Sequence, residues 1–126
     1  MTRLFDTSAW IEIFVESALG RRLATKLPDA AECIVPTLVQ LELAKWFRRE
    51  RSEEMADYVI AYTMTCEVLP LDTQLALRAA DLCRLHRLTT ADSVVYASAL
   101  ESNADLITCD AHFKGLANVM YFGKPG

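Results

Sequence analysis

The sequence predicts an α/β sandwich, a central and mostly parallel sheet flanked by helices in three layers. Two observations carry the prediction. Short apolar runs ("TRLFD", "CIVP", "CEVLPLD", "DLITCD", "VMYFG") recur along the chain, and segments with helical spacing separate them. Strands that alternate with helices in this way form parallel sheets covered on both faces. The length of 126 residues, 52% of them hydrophobic, suits one domain with a real core, spanning residues 1–126.

Each element has a local reason. "TRLFD", residues 2–6, reads as a short strand. Trp10, Ile11, Phe14 and Val15 then recur at helical spacing over residues 8–15. Gly20 and Pro28 bracket a further helix around residues 21–27. "CIVP", residues 33–36, suits a buried strand. "TLVQ" follows it with a capping-box pattern, Thr37 as N-cap and Gln40 three residues on, opening a helix with Leu38, Leu41 and Trp46 on its apolar side.

Ser52 can cap the next helix, where Glu53 and Glu54 complement its dipole and Met55, Val59, Tyr62 and Met64 supply apolar contacts. "CEVLPLD" reads as a strand ending near Pro70. Residues 73–86 form a helix with Leu75, Ala79, Leu82 and Leu85 on one side. "TTADSVVYASALESN" is a helix capped by Thr89 or Thr90, "DLITCD" a strand, and "VMYFG" the last one.

Composition excludes several classes. The apolar runs are short and interrupted by charge, so none spans a bilayer, and Met1 leads directly into a strand-like run without the pattern of a secretion signal. The expected location is cytoplasmic, with no membrane partner. Cys33, Cys66, Cys83 and Cys109 are scattered and form no C-x-x-C pair, which argues against a zinc site or a disulfide framework and for reduced core thiols. The net charge of −4 lacks the overall basic footprint of a protein held to nucleic acid by bulk electrostatics. Any attraction to a polyanion must be local, and "KWFRRER", residues 45–51, offers such a patch.

The carboxylates are the chemically informative groups. Ligands of an open parallel sheet sit beyond the carboxyl ends of its strands. Asp6 closes the first strand and Asp110 follows "LITC". Glu42 lies near the second turn of its helix, and Asp92 in the first turn after Thr89-Thr90. All four can face one rim. Alone, each has an ordinary explanation: a helix cap, a solvated helix acid, a first-turn acid, a turn residue. Together they repel one another unless a hard divalent cation, Mg²⁺ or Mn²⁺, sits among them. Ser8 and Thr108 stand two residues from Asp6 and Asp110 and can support such ligands by hydrogen bonds.

The order Asp6-Thr7-Ser8, Glu42 in a Leu-Glu-Leu helix, "TTADSVVYASALE" and then "DLITCDAHF" resembles the PIN-domain family, and within it the VapC-type toxin ribonucleases. The likeness covers essentially the whole chain. It implies a compact α/β sandwich that cleaves RNA endonucleolytically with Mg²⁺ or Mn²⁺. It also implies inhibition by a VapB-like antitoxin, and a homodimer. Residue by residue, Asp6, Glu42 and Asp92 match the family's acidic triad, Asp110 its fourth acid, and Ser8 the small hydroxyl residue after the first acid. The chain departs from the pattern at Val95-Tyr96, where aliphatic residues are more usual, and at Ser102-Asn103, where a Gly is frequent.

Other readings compete. An aspartyl-phosphate phosphatase would also place an Asp after its first strand, but would want a second acid where Ser8 stands. A non-catalytic interaction module would not need four acids. For RNA, the candidate contacts are Lys45, Arg48 and Arg49 of "KWFRRER", and Arg84, His86 and Arg87 ahead of the third acid. For a protein partner, the segment from Thr37 to Cys66 offers Leu41, Trp46, Phe47, Met55, Val59 and Tyr62 as a groove for an amphipathic helix, or as a homodimer seam.

Overall fold

The computed structural model describes residues 1–123. Strands β1 (Arg3–Phe5), β2 (Cys33–Pro36), β3 (Glu67–Leu69), β4 (Asp105–Thr108) and β5 (Val119–Tyr121) form one sheet in the order β3-β2-β1-β4-β5. Every strand pair is parallel, so the expectation of a mostly parallel sheet is met throughout these pairings. Helices α1 (Thr7–Phe14), α2 (Ala18–Ala24), α3 (Thr37–Glu50), α4 (Glu53–Thr63), α5 (Thr73–His86) and α6 (Thr90–Glu101) make the connections. No helix of the described residues is long and apolar enough to cross a membrane.

The strand order reverses between β1 and β4. From β1 the chain steps outward through β2 to β3, then returns to lay β4 on the other side of β1. A crevice opens at such a reversal, beyond the carboxyl ends of the two strands. The ladder also extends there, since the Asp6 amide donates to Ile107 O at 3.1 Å.

The core is the apolar surface of the sheet and the helix faces laid on it. Leu4, Phe5, Val35, Leu106 and Ile107 are fully buried from the strands, and Trp10, Leu23, Leu43, Phe47 and Phe113 close over them. Helix α6 is buried from Ser93 to Ala99. Its two buried serine hydroxyls are satisfied locally, Ser93 donating to Thr89 O at 2.8 Å and Ser98 to Val94 O at 2.7 Å. Cys33 and Cys109 are buried and Cys66 and Cys83 half-buried. Burial, with Cys66 alongside, pushes the Cys33 thiol up to about 12.

Several local expectations are revised. Helix α2 starts earlier than residue 21, because Ser17 caps it by accepting from the Gly20 amide at 2.9 Å. The capping box at Thr37 does not form. Strand β2 runs directly into α3 with the buried Pro36 as N-cap, so Thr37 is already helical. Its hydroxyl accepts from the Leu71 amide instead, and Gln40 donates to Thr63 Oγ1.

The buried stripe of α3 is Val39, Leu43 and Phe47, which rotates Leu41 outward to 55% exposure. In α5, Leu85 is likewise exposed beside the buried Leu82. Both departures from the family pattern have a place in the structure. Tyr96 is buried and donates to Ala117 O at 2.8 Å, and Asn103 takes the left-handed conformation (φ 51°) that a Gly would adopt freely.

Candidate active site

Asp6 serves as helix cap and cluster member at once. Its Oδ1 accepts from the Ala9 amide at 2.9 Å, capping α1, and from Ser8 Oγ at 2.7 Å. Its Oδ2 accepts from Thr108 Oγ1 at 2.5 Å. The residue is 5% exposed. Burial pushes its carboxyl from 3.8 up to about 6; the bonds from Thr108, Ser8 and Ala9 oppose that push, and the charge of Asp110 adds to it. A carboxylate offers about four acceptor positions. Three of Asp6's are occupied, and the remaining one is on Oδ2.

The same hydroxyls tie the neighbouring backbone to Asp6. Thr108 Oγ1 accepts from the Asp110 amide at 2.9 Å, and Ser8 Oγ accepts from the Cys109 amide at 3.2 Å. Asp110 in turn caps the short 3₁₀ turn Ala111–Phe113 by accepting from the His112 amide at 2.9 Å. Thr7 Oγ1 donates to Glu42 Oε1 at 2.6 Å, which joins the start of α1 to α3. Asp92 occupies the first turn of α6, capped by Thr89.

These elements bring all four predicted acids, Asp6, Glu42, Asp92 and Asp110, into one cleft of about 250 Å³ that Thr7 and Ser8 also line. Thr108 lies behind Asp6, fully buried. Two members of this neighbourhood escaped the sequence reading. His112 Nδ1 stands 3.2 Å from Asp92 Oδ2 and 3.3 Å from Asp110 Oδ1. Thr7 orients Glu42. The available signal was proximity alone, Thr7 directly after the first acid and His112 two residues after the fourth.

Asp92, Asp110 and His112 each offer an atom within 4.8 Å of the others, as residues that share a metal ion do. Carboxylate oxygens suit a hard divalent cation such as Mg²⁺ or Mn²⁺, while the imidazole is a ligand that transition metals favour, so the set as a whole fits a divalent cation. The buried Asp6 carboxylate, with one acceptor position unfilled, fits the same assignment.

The basic candidates are dispersed. Lys45, Arg48 and Arg49 are exposed on α3; Arg48 pairs with Glu53 and Arg49 with Glu50, each at 3.2 Å. Arg84 is exposed on α5. His86 and Arg87 line a smaller cleft of about 130 Å³ that shares Asp92 and His112 with the acidic site.

The expected apolar groove is also displaced. Phe47 and Val59 are fully buried core residues, while Met55, Tyr58 and Tyr62 of α4 face Ile13 and Phe14 of α1 across a cleft of about 480 Å³. Phe14 meets Tyr58 and Tyr62 edge-on there.

Solved structures share this architecture. A chain of a toxin–antitoxin complex from Klebsiella pneumoniae is 18% identical, with a TM-score of 0.84 over 98% of this chain and 100% of the other. VapC20 of Mycobacterium tuberculosis, a sarcin-ricin loop cleaving toxin, is 16% identical (TM-score 0.76, covering 92% of this chain and 95% of the other). A chain of VapBC2 from Rickettsia felis, bound to a promoter DNA fragment, is 14% identical (TM-score 0.74, 98% of each chain). At such identities the likeness is one of fold. Sequence comparison with curated proteins finds no match. The model of the PIN domain matches residues 3–119, a span that contains all four acids of the cleft, and the chain belongs to the PIN domain family.

Proposed function

We propose that this chain is a metal-dependent endoribonuclease, the toxin of a toxin–antitoxin pair, which hydrolyses RNA phosphodiester bonds at Asp6, Glu42, Asp92 and Asp110. The observation that carries the reading is the convergence of four carboxylates from two strand ends and two helices on one cleft. Each acid has an ordinary local role, and none of those roles requires the four to meet.

A bound Mg²⁺ or Mn²⁺ would supply charge neutralisation and an activated water. Asp6, Asp92 and Asp110 would hold it, with His112 beside the last two. Ser8 and Thr108 keep the Asp6 carboxylate in one rotamer, so its unfilled Oδ2 position is aimed before a ligand arrives. Thr7 occupies Glu42 Oε1 and leaves Oε2 to accept a proton from water in the cleft. Buried Phe113 and partly buried Ile11 line the same cleft and limit its water. RNA contacts are assigned to Lys45, Arg48, Arg49, Arg84 and Arg87.

The partner in this reading is a VapB-like antitoxin. The cleft between α1–α2 and α4, apolar through Phe14 and Met55 and edged by Glu16 and Arg21, suits an amphipathic segment of it. Leu41, Leu77 and Leu85, each more than half exposed, are groups that a second copy in a homodimer would cover. The site of action is the cytoplasm, and residues 1–126 act as one domain.

The test is incubation of the purified chain with a mixed RNA pool in Mg²⁺ or in EDTA, with mapping of the cut ends. Cleavage is expected in Mg²⁺ alone, and loss of it in folded Asp6→Asn and Asp92→Asn variants. Equal cleavage in EDTA, or in either variant, would overturn the assignment.

A further inference from the structure

The cleft lined by His86, Arg87, Thr89, Asp92 and His112 adjoins the acidic site and shares Asp92 with it. We propose that it seats the phosphate of the nucleotide next to the scissile one, with Arg87 as the specific phosphate contact. The inference rests on the ribonuclease reading and names a substrate subsite for it.

Three observations point there. The first is electrostatic. Four carboxylates and a net charge of −4 repel an RNA strand, so the phosphate that flanks the reacting one requires a nearby cation. Arg87 is the cation lining this cleft. It is exposed and, among the described residues, makes no ion pair, unlike Arg48 and Arg49. Its guanidinium can hold a phosphate through two parallel hydrogen bonds.

The second is conformational. Arg87 ends α5 in the left-handed region (φ 55°, ψ 40°), where a Gly would close the helix with less strain. A long cation has been placed at a position that favours a residue with no side chain. The third is the surrounding chemistry. The chain has two histidines, and both line this cleft. His86 is braced edge-on against the buried Tyr96, ring centroids 5.7 Å apart, which gives the cleft a fixed ring wall for a sugar or base.

The backbone strain makes the test clean. Arg87→Gly removes the cation and relieves the left-handed residue, so its Tm should equal or exceed that of the parent. Both would be measured in an Asp6→Asn background, with a labelled single-stranded RNA octamer of mixed sequence followed by fluorescence anisotropy across a salt series. Arg87→Gly should bind about tenfold more weakly and lower the salt slope by about one, while Arg87→Lys keeps the slope.

Unchanged affinity and slope in Arg87→Gly would overturn the subsite. The ribonuclease reading is scored separately, by cleavage with Asp6 intact. A chain that cuts RNA while Arg87→Gly binds normally loses only the subsite. A chain that neither binds nor cuts RNA loses both.

Discussion

Thr108 Oγ1 donates to Asp6 Oδ2 at 2.5 Å across 102 positions of sequence, and the same oxygen accepts from the Asp110 amide. One hydroxyl therefore orders the first and fourth acids together. Thr108→Val should orphan that amide and remove a bond to a charged group, lowering stability by about 1.5–3 kcal/mol. Metal affinity should fall roughly tenfold to a hundredfold. Thr108→Ser keeps the hydroxyl and should retain most of both. Thermal melts and Mn²⁺ titration calorimetry on the two variants read the difference.

Asp6 makes the metal-free protein more stable in mild acid. Its carboxyl titrates at about 6 when folded and near 3.8 when exposed, so between those values the folded state binds the extra proton. Stability from this group is full below pH 3.8 and is lost as pH rises through 6. The loss is roughly 3 kcal/mol at 1.36 kcal/mol per pKa unit. Asp6→Asn should therefore raise the Tm at pH 7 in EDTA and flatten this part of the pH profile. A variant that melts lower than the parent at pH 7 would contradict this.

Metal should reverse that trend. Divalent binding requires ionised ligands, so Mn²⁺ should raise the Tm more at pH 7.5 than at pH 5. Paired melts with and without 1,000 Kd of metal should differ by about 4 kcal/mol at the higher pH. An equal shift at both pH values, or none, would argue against carboxylate ligation.

Gly20 lets α2 cross the end of α1 at close range. A Cβ there would lie 1.8 Å from Glu12 O, a backbone atom that cannot swing aside. Gly20→Ala should lower stability by about 1–3 kcal/mol through overpacking. Because the α1–α2 pair forms one wall of the cleft assigned to the antitoxin, the variant should also weaken partner binding. Urea melts and co-purification test the two effects separately.

Tyr58 is 61% exposed on the opposite wall of that cleft. Tyr58→Ala should leave the fold and the RNA cleavage intact while releasing the chain from inhibition by a co-expressed partner. An RNase assay on the co-expressed pair measures it. Retained inhibition would move the docking surface elsewhere.

The sequence by itself determined the strands, the helices that join them and the acids at their ends. These are local properties: an apolar run of three or four residues marks a buried strand, and the polar residue that ends it must lie at the sheet's edge. Asp6 and Asp110 were legible for that reason, and Glu42 and Asp92 because they sit in the early turns of helices that leave the same edge. The rotation of α3 was less so. Leu38, Leu41 and Trp46 and the alternative Val39, Leu43 and Phe47 are both helical stripes, and only contact with the sheet selects the second.

Tertiary structure alone decided what surrounds the acids. Thr108 bonds Asp6 Oδ2 because the chain lays β4 beside β1, a choice of strand neighbour that no local pattern encodes. His112 meets Asp92 and Asp110 because the 3₁₀ turn after β4 and the first turn of α6 converge on the same edge. Arg87, itself left-handed between α5 and α6, lines the adjoining cleft that shares Asp92 with the acidic site. Periodicity places a residue on its own element. Hydrogen bonds between elements depend on which elements become neighbours, and burial of the whole core settles that.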